Sequence, residues 1–253
     1  MPARRFYASP EDISSAVRLS VDETHHLTRV LRLVPGDQAF VFDGCDNEYK
    51  CKFSLVTDNR AQLEIVERLS DIVESPLQLT LAQALAKGEK FDFIVQKATE
   101  LGVTRIAPLV TRYSEVRLDE QQVARRLQRW QRISLEALKQ CGRRKLVEIT
   151  APRKVAEFLR DEAHSQKQAL LLFSERDGAR LEEALDEISM PRSVVALVGP
   201  EGGWADDELD LLKQHESRGL TLGPRVLRTE TAALVAITLI QHALGDLSRN
   251  GAE

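Results

Sequence analysis

The segment Ser193–Val198 is nearly continuous in apolar residues, and a glycine-rich loop, Gly199–Trp204, follows it directly. Such a run is typical of a strand whose two faces are both buried. Strands of this kind belong to parallel sheets, in which helical connections cover both faces. The segment therefore predicts an α/β fold for the part of the chain that contains it.

The chain from Leu77 onward alternates between strand and helix patterns. Other strands are predicted at Leu77–Leu85, Arg105–Leu109 and Ala169–Phe173. Helices are predicted near residues 91–101, 119–140, 155–163, 179–188, 206–215 and 229–247, where apolar residues recur at helical spacing. This alternation predicts a parallel sheet with helices on both faces.

Residues 1–72 follow a different pattern. Short alternating strands are predicted at Gln38–Asp43, Glu48–Val56 and Ala61–Arg68, with turn signals between them. The spacing suits a small β-barrel. Charges and a proline at Ser70–Pro76 interrupt both patterns, so we predict a β domain at 1–72 and an α/β domain at 76–253.

Cysteine and histidine positions argue against disulfides and metal. The three cysteines, Cys45, Cys51 and Cys141, form no CxxC pair and cannot all pair with one another, which predicts a reducing, cytoplasmic environment. The adjacent His25 and His26 lack a metal-ligand spacing. The amino terminus does not resemble a secretory leader, and the longest apolar run is too short for a membrane span.

A basic cluster stands out from the formal net charge of -4. Between residues 125 and 145 a single acid, Glu136, opposes Arg125, Arg126, Arg129, Arg132, Lys139, Arg143, Arg144 and Lys145. For any one arginine, a solvated helix face is the better interpretation. For the group, we favour a surface that contacts phosphate groups of nucleic acid.

Two loops indicate a ligand site, because open α/β sheets bind ligands at the carboxyl ends of strands. One is Gly199–Trp204, and the other is Leu220–Ala232. The first contains no dinucleotide or triphosphate motif. The acids at 206–208 would repel phosphate from the following helix terminus, so a cationic ligand such as S-adenosylmethionine fits better. A tight turn with helix-capping acids is the alternative for the first loop.

Together these loops resemble a known family. GPEGGW at 199–204 and LGPRVLRTETA at 222–232 are similar to the cofactor loops of the RsmE branch of the SPOUT methyltransferases. KFDFIVQKATELGV at 90–103, RWQRISLEALKQCGR at 129–143, RRFY at 4–7 and HHLTRVLR at 25–32 resemble other segments of that branch in the same order.

The resemblance implies a trefoil-knotted SPOUT domain, a PUA-like amino-terminal barrel and a homodimer. It also implies methylation of uridine N3 in 16S rRNA, near the decoding region, with S-adenosylmethionine as donor and no metal. The implied cofactor residues are Leu172, Leu197, Gly199, Pro200, Glu201, Gly202, Gly203, Leu222, Gly223, Leu227 and Arg228. By composition alone, the leucines are ordinary core residues.

Four residues are candidates for catalysis. Arg228 could bind a uracil carbonyl as negative charge develops, and its alternative role is an ion pair with Glu230 or Glu201. Glu230 is a candidate base or a helix-terminal acid. Gln140 and Arg143 lie in a turn that the resemblance places near the substrate, where an amide would match a uracil edge.

Predicted rRNA contacts come from both parts of the chain. They are Arg4, Arg5, Arg29 and Arg32 in the barrel, with Arg129 and Arg132 in the basic cluster. Two alternatives to base methylation stay open at this point. One is methylation of the ribose 2′-hydroxyl of RNA, and the other is a non-catalytic RNA-binding protein of ribosome assembly.

Overall fold

The computed structural model describes residues 4–70, 73–114, 119–162, 168–175, 178–186 and 191–248. The chain forms two compact units. The first, here called the amino-terminal unit, contains residues 1–74 and 135–146, and the second, the sheet unit, contains residues 75–134 and 147–253. The division predicted from sequence did not include residues 135–146 in the first unit, and its boundary at residue 72 lies outside the described residues.

The amino-terminal unit is built on a five-stranded sheet of order β1-β3-β4-β5-β2. Its strands are β1 (Arg5–Tyr7), β2 (Ala16–Arg18), β3 (Gln38–Phe42), β4 (Glu48–Thr57) and β5 (Arg60–Leu69). The last three confirm the predicted strands, and they pair antiparallel as a meander. Buried side chains that include Phe6, Leu27, Val41 and Leu63 form a core for this unit.

A short helical segment lies between β2 and β3. Helix α1 (Val21–His25) begins after Ser20, whose hydroxyl accepts a hydrogen bond from the backbone N–H of Glu23. This is a typical amino-terminal cap, because it satisfies an N–H group that has no partner within the helix. The chain continues into a π-helical turn at His26–Val30.

The carboxyl-terminal end of helix α3 (Glu120–Cys141) and the residues after it complete the amino-terminal unit. Arg5 holds this segment. Its guanidinium donates to the Glu48 carboxylate at 2.6 Å and to the carbonyl oxygens of Leu138 and Arg143 at 2.8 and 3.2 Å. Arg5 is 6% exposed, so its predicted contact with rRNA is replaced by a structural role.

Some residues of the basic cluster at 125–145 are also buried and have structural roles. Arg144 donates to the second oxygen of Glu48 at 2.9 Å, and Arg143 donates to Glu74 at 2.7 Å. Both arginines are buried, as is Lys139, which pairs with Glu23. These cations are therefore committed to carboxylates inside the unit, and the prediction of a single phosphate-contacting surface is wrong for them.

The sheet unit contains a fully parallel seven-stranded sheet. Its strands are β6 (Gln78–Ala84), β7 (Arg105–Val110), β8 (Glu148–Ile149), β9 (Arg153–Lys154), β10 (Gln168–Phe173), β11 (Ser193–Val198) and β12 (Arg218–Leu220). The order is β12-β10-β11-β6-β7-β8, and β9 also pairs with β7. β11 thus lies between two strands that precede it in the chain, β10 and β6.

Helices cover both faces of this sheet, as predicted. They are α2 (Lys90–Glu100), the first part of α3, α4 (Val155–Glu162), α5 (Leu181–Asp186), α6 (Asp206–Gln214) and α7 (Thr229–Leu244). Val194 and Ala196 of β11 share a buried cluster with α2 and α7, whereas Val195 and Leu197 share another with α4 and α6. Within the described residues, every helix is too short or too polar to cross a membrane.

Candidate cofactor site

A cavity of about 160 Å³ lies at the carboxyl ends of β10 and β11. It is lined by Phe173, Ser174, Glu175, Val198, Gly199, Pro200, Glu201, Gly202, Leu222, Gly223, Arg225, Val226, Leu227, Thr229 and Ala232. The lining combines the ends of two neighbouring strands with both glycine loops. The cavity is therefore at the edge of a parallel sheet where ligands are expected.

The cavity contains most of the cofactor residues named from the sequence. Gly199, Pro200, Glu201, Gly202, Leu222, Gly223 and Leu227 line it. Leu172 and Leu197 do not, because they point into the core between the sheet and helices α4 and α6. Gly203 and Arg228 adjoin lining residues without belonging to the lining.

Several lining residues were not named from the sequence. Ser174 and Glu175 directly follow β10, and Arg225 and Thr229 lie inside the second loop motif. Thr229 could have been named from the sequence, because it is the first residue of the helix that follows the second loop and therefore adjoins that loop. Ser174 and Glu175 line the cavity because β10 is a neighbour of β11, and sequence pattern alone does not predict which strands are neighbours.

Glycine is required by close packing in the first loop. A Cβ atom on Gly199 would lie 2.9 Å from Nε1 of the buried Trp204, and one on Gly202 would lie 3.0 Å from the Cβ of Tyr113. Gly203 has a φ of +74°, which disfavours any other residue. The loop backbone therefore lies directly against its support, and side chains there would displace either the support or a ligand.

An ion pair connects this loop to α2. The Lys90 ammonium donates to Glu201, and it lies 4.0 Å from a carboxylate oxygen of Glu230. The hydrogen bond from Lys90 lowers the pKa of Glu201 below its ordinary value and raises the pKa of Lys90. Glu201 is thus a carboxylate with a fixed partner. Lys90 was not singled out from the sequence.

The acids at the start of α6 have local partners. Asp207 pairs with Arg112 at 2.7 Å, and Glu208 accepts hydrogen bonds from the backbone N–H groups of Ala205 and Arg112. Helix capping thus explains Glu208 without a ligand. The acids at 206–208 consequently give little support to a cationic ligand.

The four catalytic candidates fall in different surroundings. Arg228 is an exposed residue directly before α7, and within the described part of the chain it makes no ion pair, so the alternative pairing with Glu201 or Glu230 is absent. Glu230 is partly buried in the first turn of α7. Gln140 is exposed, whereas the guanidinium of Arg143 is bound by Glu74, and neither residue lines the cavity.

The remaining rRNA candidates are at the surface. Arg4, Arg29 and Arg32 are exposed, although Arg4 lies 3.6 Å from Asp37. Arg132 is exposed, and Arg129 donates to Asp92 at 2.6 Å while remaining largely exposed. No cluster of three or more His, Cys, Asp or Glu side chains suitable for a metal ion occurs among the residues that the structure describes.

Two family models match this chain. A model of the RNA methyltransferase domain matches residues 73–241, and a model of the RNA methyltransferase PUA domain matches residues 19–66. Among curated proteins, the ribosomal RNA small subunit methyltransferase E of Synechocystis sp. is 36% identical over 96% of this chain and 78% of its own length. The Bacillus subtilis protein of the same name is 29% identical over 92% and 93%.

Solved structures agree over almost the whole chain. A Legionella pneumophila protein in complex with S-adenosylmethionine superposes with a TM-score of 0.88 and 33% identity, over 98% of this chain and 100% of that one. The ribosomal RNA small subunit methyltransferase E of Neisseria gonorrhoeae, bound to S-adenosylmethionine, gives 0.87 and 34%, over 97% and 99%. The name ribosomal RNA small subunit methyltransferase E thus occurs among both the sequence relatives and the structural relatives.

Proposed function

The chain belongs to the family of ribosomal RNA small subunit methyltransferases E, and we propose that it methylates uridine N3 in 16S rRNA with S-adenosylmethionine as donor. The site near the decoding region and a location in the cytoplasm, where rRNA is processed and ribosomes are assembled, are parts of the same proposal. The observation that carries it is the cavity between the two glycine loops, in a chain whose relatives of this fold bind S-adenosylmethionine.

The walls and the volume of the cavity indicate which part of this donor it can enclose. Its walls combine apolar side chains with loop backbone, which suits a neutral base that is held through backbone groups, and any Cβ at Gly202 would take up room beside Tyr113. Its volume of about 160 Å³ is below the ~300–1,000 Å³ of sites that enclose a whole drug-sized ligand. The cavity thus suits one part of the donor, its nucleoside, with the remainder extending towards solvent.

When bound, S-adenosylmethionine supplies an electrophilic methyl group for in-line displacement. The residues of this chain then have three tasks. Gly199, Gly202 and Leu222 hold the donor, and the exposed Arg228 stabilises charge on the uracil carbonyls as the N3 proton leaves. Glu230 is proposed to accept that proton, because one of its carboxylate oxygens is buried and has no hydrogen-bond partner among the residues that the structure describes.

rRNA binding is assigned to the exposed arginines. Arg4, Arg29 and Arg32 would contact phosphates from the amino-terminal unit, and Arg129 and Arg132 would do so from α3. Uridine N3 lies on the Watson–Crick edge, so the target base must be unpaired or flipped when it enters the site. Arg5 and Arg143 are excluded from this set by their buried ion pairs.

We further propose a trefoil knot and a homodimer. β11 lies between β10 and β6, and the threading of a knot requires an insertion of this kind. Helix α7 is strongly apolar, and its Leu239 is nevertheless 40% exposed, which supports pairing of two chains through this helix. Gln140 would then reach the partner's cavity. Light scattering should give twice the mass of one chain at micromolar concentration, and a monomer there would contradict the proposed dimer.

The reaction is tested by mass spectrometry of nucleosides from 16S rRNA or small subunits that were incubated with the protein and methyl-labelled donor. We expect label in 3-methyluridine. Label in a 2′-O-methylated nucleoside would support sugar methylation instead. If the protein binds rRNA but transfers no label at any concentration of the donor, the result would support a non-catalytic assembly protein.

Substitution of Gly202 tests the assignment of the cavity. Gly202→Val should weaken binding of S-adenosylmethionine by about tenfold or more, because the added methyl groups crowd Tyr113 and the cavity at once. Gly202→Ala is the graded variant and should have a smaller effect. Calorimetry measures both affinities, and thermal unfolding reports whether the fold is kept. Unchanged affinity in a folded valine variant would place the donor elsewhere.

A further inference from the structure

Two buried polar side chains connect the glycine loops behind the cavity. The Thr229 hydroxyl donates to the carbonyl oxygen of Gly199 at 2.6 Å, and it accepts a hydrogen bond from Nε2 of Gln83 at 2.9 Å. Gln83 lies in β6 and is fully buried, and Thr229 is 3% exposed. A chain of hydrogen bonds therefore runs from the middle of the sheet to the roots of both loops.

The direction of each hydrogen bond follows from the chemistry of the groups. Because a carbonyl oxygen only accepts, the single hydroxyl hydrogen of Thr229 must point to Gly199. Only the oxygen lone pairs of that hydroxyl then face Gln83, which must present its amide NH₂. The same NH₂ group also donates to the carbonyl oxygen of Ala84 at 3.0 Å. The orientation of the Gln83 amide is thus determined without ambiguity.

This orientation has a cost for stability. Oε1 of Gln83 is buried and has no hydrogen-bond partner among the described residues. A buried acceptor without a partner is unfavourable, and a leucine of similar size would avoid it within a strand that is buried from Leu79 to Ala84. The amide at this position therefore points to a role beyond folding, and Thr229 is the cavity-lining group that it contacts.

We propose that Gln83 is a positioning residue, which acts through Thr229 to fix the separation of the two glycine loops and so the width of the donor cavity. Gly199 and Thr229 both line the cavity, whereas Gln83 does not. Gln83 thus restricts the Thr229 hydroxyl to one direction, and the hydroxyl joins the start of α7 to the end of β11. This inference rests on the proposed function, because the ligand of the cavity is taken to be S-adenosylmethionine.

The first test compares two substitutions of the threonine in the full-length protein. Thr229→Val keeps the shape but removes the hydroxyl, and it should weaken binding of S-adenosylmethionine in calorimetry by about five- to tenfold. Thr229→Ser keeps the hydroxyl and should bind within about twofold of wild type. If Thr229 had only a structural role, the two variants would bind the donor with equal affinity once both are shown to be folded.

The second test uses a matched pair of buried glutamines. Gln83→Leu should weaken donor binding by about two- to fivefold, while thermal stability is kept or raised. Gln241→Leu is the control, because Gln241 is equally buried near the other end of α7, where it bonds Ser75 and Gly102 away from the cavity. This control should lower the melting temperature and leave donor affinity near that of wild type.

The double variant Gln83→Leu/Thr229→Val completes the cycle. If Gln83 acts through Thr229, the double variant should bind the donor no more weakly than Thr229→Val alone. Wild-type affinity in either Gln83→Leu or Thr229→Val would overturn the positioning role while leaving the proposed function intact. So would equal losses in Gln83→Leu and Gln241→Leu. Failure of the wild-type protein to bind S-adenosylmethionine would instead overturn the proposed function and this inference with it.

Discussion

Replacement of Arg228 with alanine should lower the rate of rRNA methylation by about 100- to 1,000-fold, as expected for the loss of one group that stabilises developing negative charge. Arg228 directly precedes α7, beside lining residues Leu227 and Thr229, and its guanidinium has no ion pair within the described residues. It is therefore available to a substrate. Single-turnover transfer of labelled methyl groups, at saturating rRNA and donor, measures the rate directly.

The control for this variant is Arg192→Ala. Arg192 is also exposed, but it lies directly before β11, at the end of that strand opposite to the cavity. Its removal subtracts the same charge from the sheet unit, so the rate should stay near that of wild type. A near-normal rate in Arg228→Ala would show that the uracil carbonyls are bound by another group, and Arg225, which lines the cavity, would be the next candidate.

Replacement of Arg5 with alanine should destabilise the amino-terminal unit by about 3–5 kcal/mol, the usual cost of breaking a buried ion pair by removing one partner. The guanidinium donates to Glu48 and to three carbonyl oxygens of the segment at 135–146, and it lies 5.0 Å from the centre of the Phe42 ring. An alanine removes one hydrogen-bond donor from each of these buried carbonyl groups. Hydrogen exchange of the full-length protein should therefore become faster in β1 and β3.

The neighbouring Arg4 supplies a matched control. Its side chain is 49% exposed and lies 3.6 Å from Asp37, so Arg4→Ala should cost only about 0–1 kcal/mol. Peptides from β11 serve as an internal reference and should exchange at the wild-type rate in both variants. Equal protection of β1 in Arg4→Ala and Arg5→Ala would show that the buried network contributes nothing beyond the apolar core.

Much of the sheet unit could be predicted from the sequence because burial on both faces leaves a strong local signal. Ser193–Val198 is a strand over the predicted residues, and the two glycine loops line one cavity. A glycine in the sequence marks a position without a side chain, where the backbone can approach a neighbouring group closely. Gly199 against Trp204 is a case in point, and the six-residue motif contains both partners.

The roles of polar residues were harder to predict because they depend on partners far away in the chain. Arg5 and Arg143 have the same residue type and similar local sequence as surface arginines, and their distant partners Glu48 and Glu74 decide that they are buried. Leu172 and Leu197 were assigned to the cofactor by resemblance. Side chains alternate between the two faces of a strand, however, and these two lie in the core between the sheet and helices α4 and α6. Gln83 carries no local signal, since its partner is 146 residues away.

The amino-terminal unit is discontinuous, because residues 135–146 lie within the stretch of chain that forms the sheet unit. A gene cut near codon 74 would consequently yield a fragment without the carbonyl groups that Arg5 binds. The remainder would carry the buried arginines Arg143 and Arg144 without Glu74 and Glu48, to which they donate. Recombination at that point would therefore be selected against. We expect the two parts to have been inherited as one piece, and chimaeras between relatives to work only when both segments come from the same parent.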